Sequence, residues 1–244
     1  MPAPAFVDAF EPLDDFILEP TDGEKLLTSP SYSVTLDVAM DNLGDGVNYA
    51  FFNENTYVLQ KVPTLYTALT TREFATNPLV YGVNSNSFVL NHMDVVEIIL
   101  NNNDPGKHPF HLHGHNFQLV HRSEDDAGAF DSSSVPEANM PEVPMKRDVV
   151  LAPPNGNIVI RFRADNPGIW LFHCHLEWHL VSVSHFPLNK PAQLSVPKTL
   201  SDMLIHLTTS LTHNRALWQP LSNLLSSFKK PSKYQTITCK HAST

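Results

Sequence analysis

Three imidazoles and a thiol fall within seven residues in His173-Cys174-His175-Leu176-Glu177-Trp178-His179, at the end of the apolar run Gly168-Ile169-Trp170-Leu171-Phe172. In an extended strand successive side chains point to opposite faces, so Cys174 faces one way while His173 and His175 face the other. That division suits two adjoining metal sites better than one four-ligand site. A second cluster, His108-Pro109-Phe110-His111-Leu112-His113-Gly114-His115, repeats the spacing. His111 and His113 share a face there, and His108 is set apart by a rigid proline. Combining the clusters gives a sulfur-plus-two-nitrogen group (Cys174, His179, His108) and an all-nitrogen group (His111, His113, His173, His175). A thiolate with two imidazoles is the ligand set of a blue-copper electron-transfer centre, whereas imidazole alone suits copper, zinc or iron. Zinc is the fairest rival for both groups, although structural zinc sites usually pair cysteines. A cysteine nucleophile fits less well, because Cys174 is ringed by metal ligands rather than by one base.

The elements that must carry these residues read as short strands. Tyr32 to Met40 alternates apolar and polar side chains, as a half-buried strand should. Asp41 to Gly46 turns the chain, and Tyr49 to Phe52 starts another strand. Pro63 suits a first helical position, so residues 63–80 read as a helical turn and loop. Val95 to Leu100 is a strongly apolar strand that delivers the chain to Asp104 and His108. Phe117 to Val120, Arg147 to Leu151, Ile158 to Phe162 and Ile169 to Phe172 complete the strands. The acidic, Ser-rich stretch from Ser123 to Pro144 is a long surface loop, and Arg147-Asp148 reads as an ion pair near the sheet edge. Glu177 to Leu180 starts a short helix. His92, His115 and His121 read as structural. Many short strands punctuated by Gly, Pro and Asn predict an all-β Greek-key β-sandwich.

Composition bounds the rest. The 244 residues are 42% hydrophobic and 17% charged, with a net charge of −9. The acidity lies ahead of residue 183: the stretch beyond it holds Asp202 alone against Lys190, Lys198, Arg215, Lys229, Lys230, Lys233 and Lys240. An acidic body disfavours nucleic acid and concentrates small cations. Two cysteines cannot frame a disulfide scaffold. No apolar run is long enough for a membrane span, and Met1 to Phe6 lacks the basic and apolar segments of a secretory signal.

The two histidine clusters resemble the C-terminal copper motifs of multicopper oxidases, over about Phe16 to Ser182. Asp104, four residues before His108, resembles the fungal iron-uptake ferroxidase branch rather than laccases. So do the segments Asp45 to Phe52 and Pro63 to Thr70. The resemblance implies a cupredoxin-like sandwich at 31–182, preceded by an acidic linker at 1–30 from a missing domain. It implies His108, Cys174 and His179 at a type 1 copper, His111 at a type 2 copper, and His113, His173 and His175 at a type 3 pair. Asp104 would meet ferrous iron beside the type 1 site, and dioxygen would be reduced at the trinuclear cluster. Partners implied are the missing N-terminal cupredoxin domains, which supply the cluster's other histidines, and an iron permease. The location implied is extracellular or at the cell surface. Other functions compatible with these residues are a laccase-like phenol oxidase and a non-enzymatic copper-binding pseudo-oxidase.

At Val183 the likeness stops. The family continues with a glycine, an axial residue and a closing strand, whereas this chain has Val183-Ser184 and no glycine after Gly168. GTAAGT and GTGAGT, which begin many introns, both encode Val-Ser, so 183–244 reads as translated intron plus out-of-frame exon. The sandwich is therefore expected to be incomplete at its C-terminal end and followed by a poorly structured tail over 183–244.

Overall fold

Eleven strands form two sheets in this computed structural model, which describes residues 13–44, 46, 48–58, 60–176 and the backbone of 205–210. They are β1 (Tyr32–Asn42), β2 (Asn48–Phe52), β3 (Ser87–Leu90), β4 (Val95–Asn102), β5 (His108–Leu112), β6 (Phe117–Arg122), β7 (Met145–Arg147), β8 (Val149–Ala152), β9 (Asn157–Arg163), β10 (Ile169–Cys174) and β11 (Ile205–Ser210). One sheet runs β2-β1-β4-β9-β6-β7 and the other β3-β11-β10-β5-β8. This is the expected β-sandwich, with one short helix, α1 (Thr64–Thr70), and single 3-10 turns in the connections. Pro63 stands at the N-cap of α1, one place earlier than expected.

The core fills the gap between the sheets, and its composition follows from strand parity. Val96, Ile98 and Leu100 from β4 meet Phe110 and Leu112 from β5 and Phe172 from β10, all fully buried. The Phe110 and Phe172 rings stack at 5.6 Å between centroids, with Phe52 5.9 Å from Phe110. Alternate residues on β5 and β10 must then point out of the sandwich, and those are His111 and His173.

The region read as one strand from Arg147 to Leu151 is two. β7 pairs with β6 in the first sheet, β8 pairs with β5 in the second, and Asp148 is the crossing point. The expected Arg147–Asp148 ion pair is not formed. Arg147 instead donates to Asp15 at 2.8 Å, because the crossing sends adjacent side chains to different sheets.

The described part of the acidic linker is docked rather than loose. Leu26 N donates to Glu142 O, Leu27 N to Gln118 Oε1, and Gln118 Nε2 back to Lys25 O. Arg161, 3% exposed, binds Glu97 and Glu137 and donates to Leu27 O at 2.9 Å. Sequence acidity here serves pairing with bases of the sheet.

Of the stretch read as tail, Ile205–Ser210 is strand, with β11 parallel to β10 and antiparallel to β3. Its alternation of Ile, Leu and Thr suits a strand. The rest of 183–244, the first twelve residues, and the expected helix from Glu177 lie outside the described residues.

Candidate metal centre

The β5–β10 register sets the geometry. His111 lies opposite His173, and Cys174 opposite Phe110, in an antiparallel pair. The ladder continues past the strand ends through His113 N to Leu171 O and His175 N to Pro109 O. Cys174 and His108 therefore share the inner face, two residues apart in register, while His111, His113, His173 and His175 gather on the outer one.

On the inner face Cys174 Sγ is 3.8 Å from His108 Nδ1. Both are buried, Cys174 wholly and His108 to 2% exposure. Burial pushes the thiol up to about 11, so without a metal it keeps its proton at neutral pH. His108 Nε2 is 2.9 Å from Asp104 Oδ2. A carboxylate only accepts, so Nε2 carries the ring proton and Nδ1 turns its lone pair toward the sulfur.

On the outer face the ring centroids of His111 and His113 are 4.6 Å apart, those of His111 and His173 5.6 Å, and those of His111 and His175 5.7 Å. His173 Nδ1 donates to Cys174 O and His111 Nδ1 to Asp148 O, each at 2.8 Å. Those carbonyls fix the tautomer and leave Nε2 of both rings as a donor of electrons. His173 Nε2 meets His113 Nε2 at 3.0 Å, so His113 supplies the shared proton. Burial first, then the neighbouring His113, His111 and His175, holds His173 at about 4. Burial, then His111 and His175, lowers His113 as well. Burial thus favours the neutral form of His113 and His173, the form in which an imidazole binds a metal.

These residues fit copper by three tests. A metal about 2.3 Å from sulfur and about 2 Å from nitrogen would span the observed Sγ–Nδ1 gap at a near-trigonal angle. Ligating histidines characteristically donate their second ring nitrogen to a carboxylate or backbone carbonyl, as His108, His111 and His173 do. The inner pair also offers a sulfur beside an imidazole, a soft donor set that suits copper. As the side chains stand, no three donors converge on one point among the described residues. The contact between His113 and His173 would open for a shared ion. His179, expected beside Cys174, lies outside the described residues.

Supporting residues surround both faces. Gly114 has φ +71°, and a Cβ there would sit 2.4 Å from the Trp170 ring, so only glycine fits. Trp170 Nε1 donates to Asn166 O and Asn166 Nδ2 to Gly114 O, each at 2.8 Å. His115 packs between Phe162 and Trp170, as a structural histidine should. Sequence reasoning missed Asn102, Gly106 and the carbonyl of Asp148. Only the turn signal Asp104-Pro105-Gly106 could have pointed to one of them.

Known proteins of similar sequence and fold identify the family. A multicopper oxidase family model matches residues 57–185, more than half of the chain. An iron transport multicopper oxidase, FET3 of Gibberella zeae, is 52% identical over 206 residues, covering 82% of this chain and 33% of its own length. The crystal structure of Fet3p, a multicopper oxidase that functions in iron import, superposes with a TM-score of 0.69 at 43% identity, covering 86% of this chain and 37% of that one. A laccase from Botrytis aclada is similar in fold alone, at TM-score 0.53 and 20% identity, over 89% of this chain and 36% of its own. The chain thus spans about a third of the length of its curated relatives. With a cysteine and its histidine on one face of a strand pair and four imidazoles on the other, in a stretch that the family model matches throughout, this chain belongs to the multicopper oxidase family.

Proposed function

We propose that the chain is the copper-binding end of an iron-oxidising multicopper oxidase, in which ferrous iron yields single electrons beside His108 and dioxygen is reduced at the outer imidazoles. One observation carries the reading: an unbroken series of contacts from the Asp104 carboxylate through the His108 ring to the Cys174 sulfur. The relatives named for iron transport and iron import support it.

Copper, when bound, supplies a one-electron acceptor at the sulfur side and electron delivery to dioxygen at the nitrogen side. Cys174 and His108, with His179, would hold the type 1 ion. His111 would serve the type 2 position, and His113, His173 and His175 the type 3 pair. Cys174 releases its thiol proton as the metal arrives, since the thiolate is the ligand. Its backbone is continuous with His173 and His175, so one strand links the two faces covalently. Asp104, 20% exposed, receives the ferrous ion, and its negative charge favours the ferric product. The preceding cupredoxin domains would complete the cluster, and an iron permease at the cell surface would take the product.

The test uses the purified chain loaded with cupric ion. The expected result is an intense visible absorption that ferrous iron bleaches once, without sustained oxygen uptake, because the chain brings only part of the cluster's histidines. No absorption would sink the copper reading, and sustained ferrous-driven uptake would sink the incomplete-cluster reading. A non-enzymatic copper-binding role is the second reading, favoured by the side chains as they stand, of which no three donors converge on one point among the described residues. Absorption that ferrous iron leaves unbleached would select it. A laccase-like phenol oxidase would instead be bleached faster by a phenol than by ferrous iron.

A further inference from the structure

Asp104 stands on a turn whose geometry is unusually determined. Its Oδ2 accepts from Gly106 N–H at 2.8 Å and from His108 Nε2–H at 2.9 Å, so both bonds fall on one oxygen. Gly106 has a backbone conformation open to any residue, so conformational freedom is not why a glycine is there. Space is the reason. A Cβ at 106 would lie 2.8 Å from Asp104 Oδ2, 3.4 Å from His108 Nε2 and 3.8 Å from its Cε1. All three of those atoms belong to the carboxylate–imidazole contact, and the closest is nearer than real Cβ atoms come to anything.

The turn is also fastened from behind. Asn102, 1% exposed at the end of β4, donates Nδ2 to Gly106 O and to Pro153 O, each at 2.8 Å. Its Oδ1 accepts from Asp104 N–H at 3.2 Å. One buried side chain thus holds both ends of the turn and ties them to the connection between β8 and β9. A turn needed only to reverse the chain would tolerate alanine at 106. A turn that must present a carboxylate oxygen to a ring nitrogen would not.

We infer that Gly106 and Asn102 are positioning residues that hold the Asp104 carboxylate on the outer ring nitrogen of His108, so that a ferrous ion meeting Asp104 is one hydrogen bond from the ring that faces Cys174. The role in iron oxidation rests on the reading of Asp104 given above. The positioning itself does not.

The experiment compares the full chain with its Gly106→Ala, Asn102→Ser and Asp104→Ala variants, each checked for fold by circular dichroism. In the metal-free, nitrogen-labelled chain, a proton–nitrogen correlation should show a His108 Nε2 proton protected from exchange by the carboxylate. It should be lost in Gly106→Ala and in Asp104→Ala, and weakened in Asn102→Ser, which serves if Gly106→Ala does not fold. In the cupric chain, bleaching by ferrous iron should slow about tenfold or more in Gly106→Ala, with hydroquinone bleaching within about twofold of the parent. Adding Gly106→Ala to Asp104→Ala should slow it no further, the signature of residues acting through one group. A protected proton that survives Gly106→Ala, or one absent from the parent chain, overturns the positioning role. A proton that behaves as expected, with ferrous iron and hydroquinone equally unaffected by Asp104→Ala, supports the positioning and removes iron contact from Asp104.

Discussion

The two faces of the β5–β10 pair carry the same residue type in opposite settings. On the inner face His108 and Cys174 belong to the sandwich core and are immobilised by the packing of Phe110 and Phe172. On the outer face His111, His113, His173 and His175 crowd one another and depend on backbone carbonyls and a tryptophan clamp. Strand alternation alone puts the sulfur on one face and the four clustered imidazoles on the other, and burial favours the neutral forms of Cys174, His113 and His173 until a metal arrives. Damage to the core should therefore reach both faces, whereas damage to the clamp should reach one.

The sharpest separation should come from Cys174→Ser. Without the sulfur, the cupric chain should lose its intense visible absorption completely, while cupric or zinc uptake at the outer imidazoles stays within about twofold, since the side chain of 174 points to the inner face. Visible spectroscopy with metal titration measures both. Loss of outer uptake as well would show that the faces are not independent.

Phe110→Ala should break that independence from the other side. The ring is fully buried, pairs with Cys174 in register, stacks on Phe172 and lies 6.4 Å from the His108 ring. Removing a ring of this kind costs about 3–5 kcal/mol, read as a lower urea midpoint of the metal-free chain. Copper binding should weaken on both faces, because β5 carries ligands to each.

Much of this was legible before any coordinates. The spacing of two in His111/His113 and His173/His175, with Cys174 between, needs only strand parity to become two sites, and the register of His111 against His173 meets that expectation. The acidic start of the chain could be read only as a linker. Composition does not reveal that Arg122, Lys146 and Arg147 face Asp14, Asp15, Asp22 and Glu24 across more than a hundred residues. The crossing at Asp148 was equally hidden, since a run of strand formers looks the same whether or not it changes sheets. Asp104 illustrates a middle case: its place before His108 was visible, but its bond to Nε2, and the Gly106 and Asn102 contacts behind it, depend on distances that no spacing encodes.

Acid should weaken the outer face of the metal-free chain. His173 takes its proton only near pH 4 when folded, against 6.5 for an ordinary imidazole. Between those values the unfolded chain binds more protons, so stability falls as pH drops from 6.5 toward 4, and His173 adds no slope above that window. The contribution is at most about 3 kcal/mol. Urea unfolding at pH 7 and pH 4.5 in chelator should show a smaller acid loss for His173→Asn than for the parent. An equal loss in both would assign the acid sensitivity elsewhere, with His113, His115 and His121, which burial also lowers, next in line.

The smallest effect, and the most selective, should come from Trp170→Phe. A phenyl ring can still cover Gly114 and Gly168, both of which press on the Trp170 ring. The indole N–H to Asn166 O is lost, and a net hydrogen bond is worth about 1 kcal/mol. Asn166 is the residue that donates to Gly114 O, and Gly114 follows His113, so the slack enters the outer set at that ring. Metal affinity of the outer imidazoles should fall by a few fold, below the tenfold or greater losses seen when a ligand's own hydrogen-bond partner is removed. The inner face should not respond, because the Trp170 indole and Asn166 are bonded to the chain around Gly114, which leads out of His113 on the outer face, and the visible absorption should keep its position and intensity. If that absorption shifts together with outer affinity, the clamp acts through the strand itself, and the separation of faces by parity is narrower than one sheet's thickness suggests.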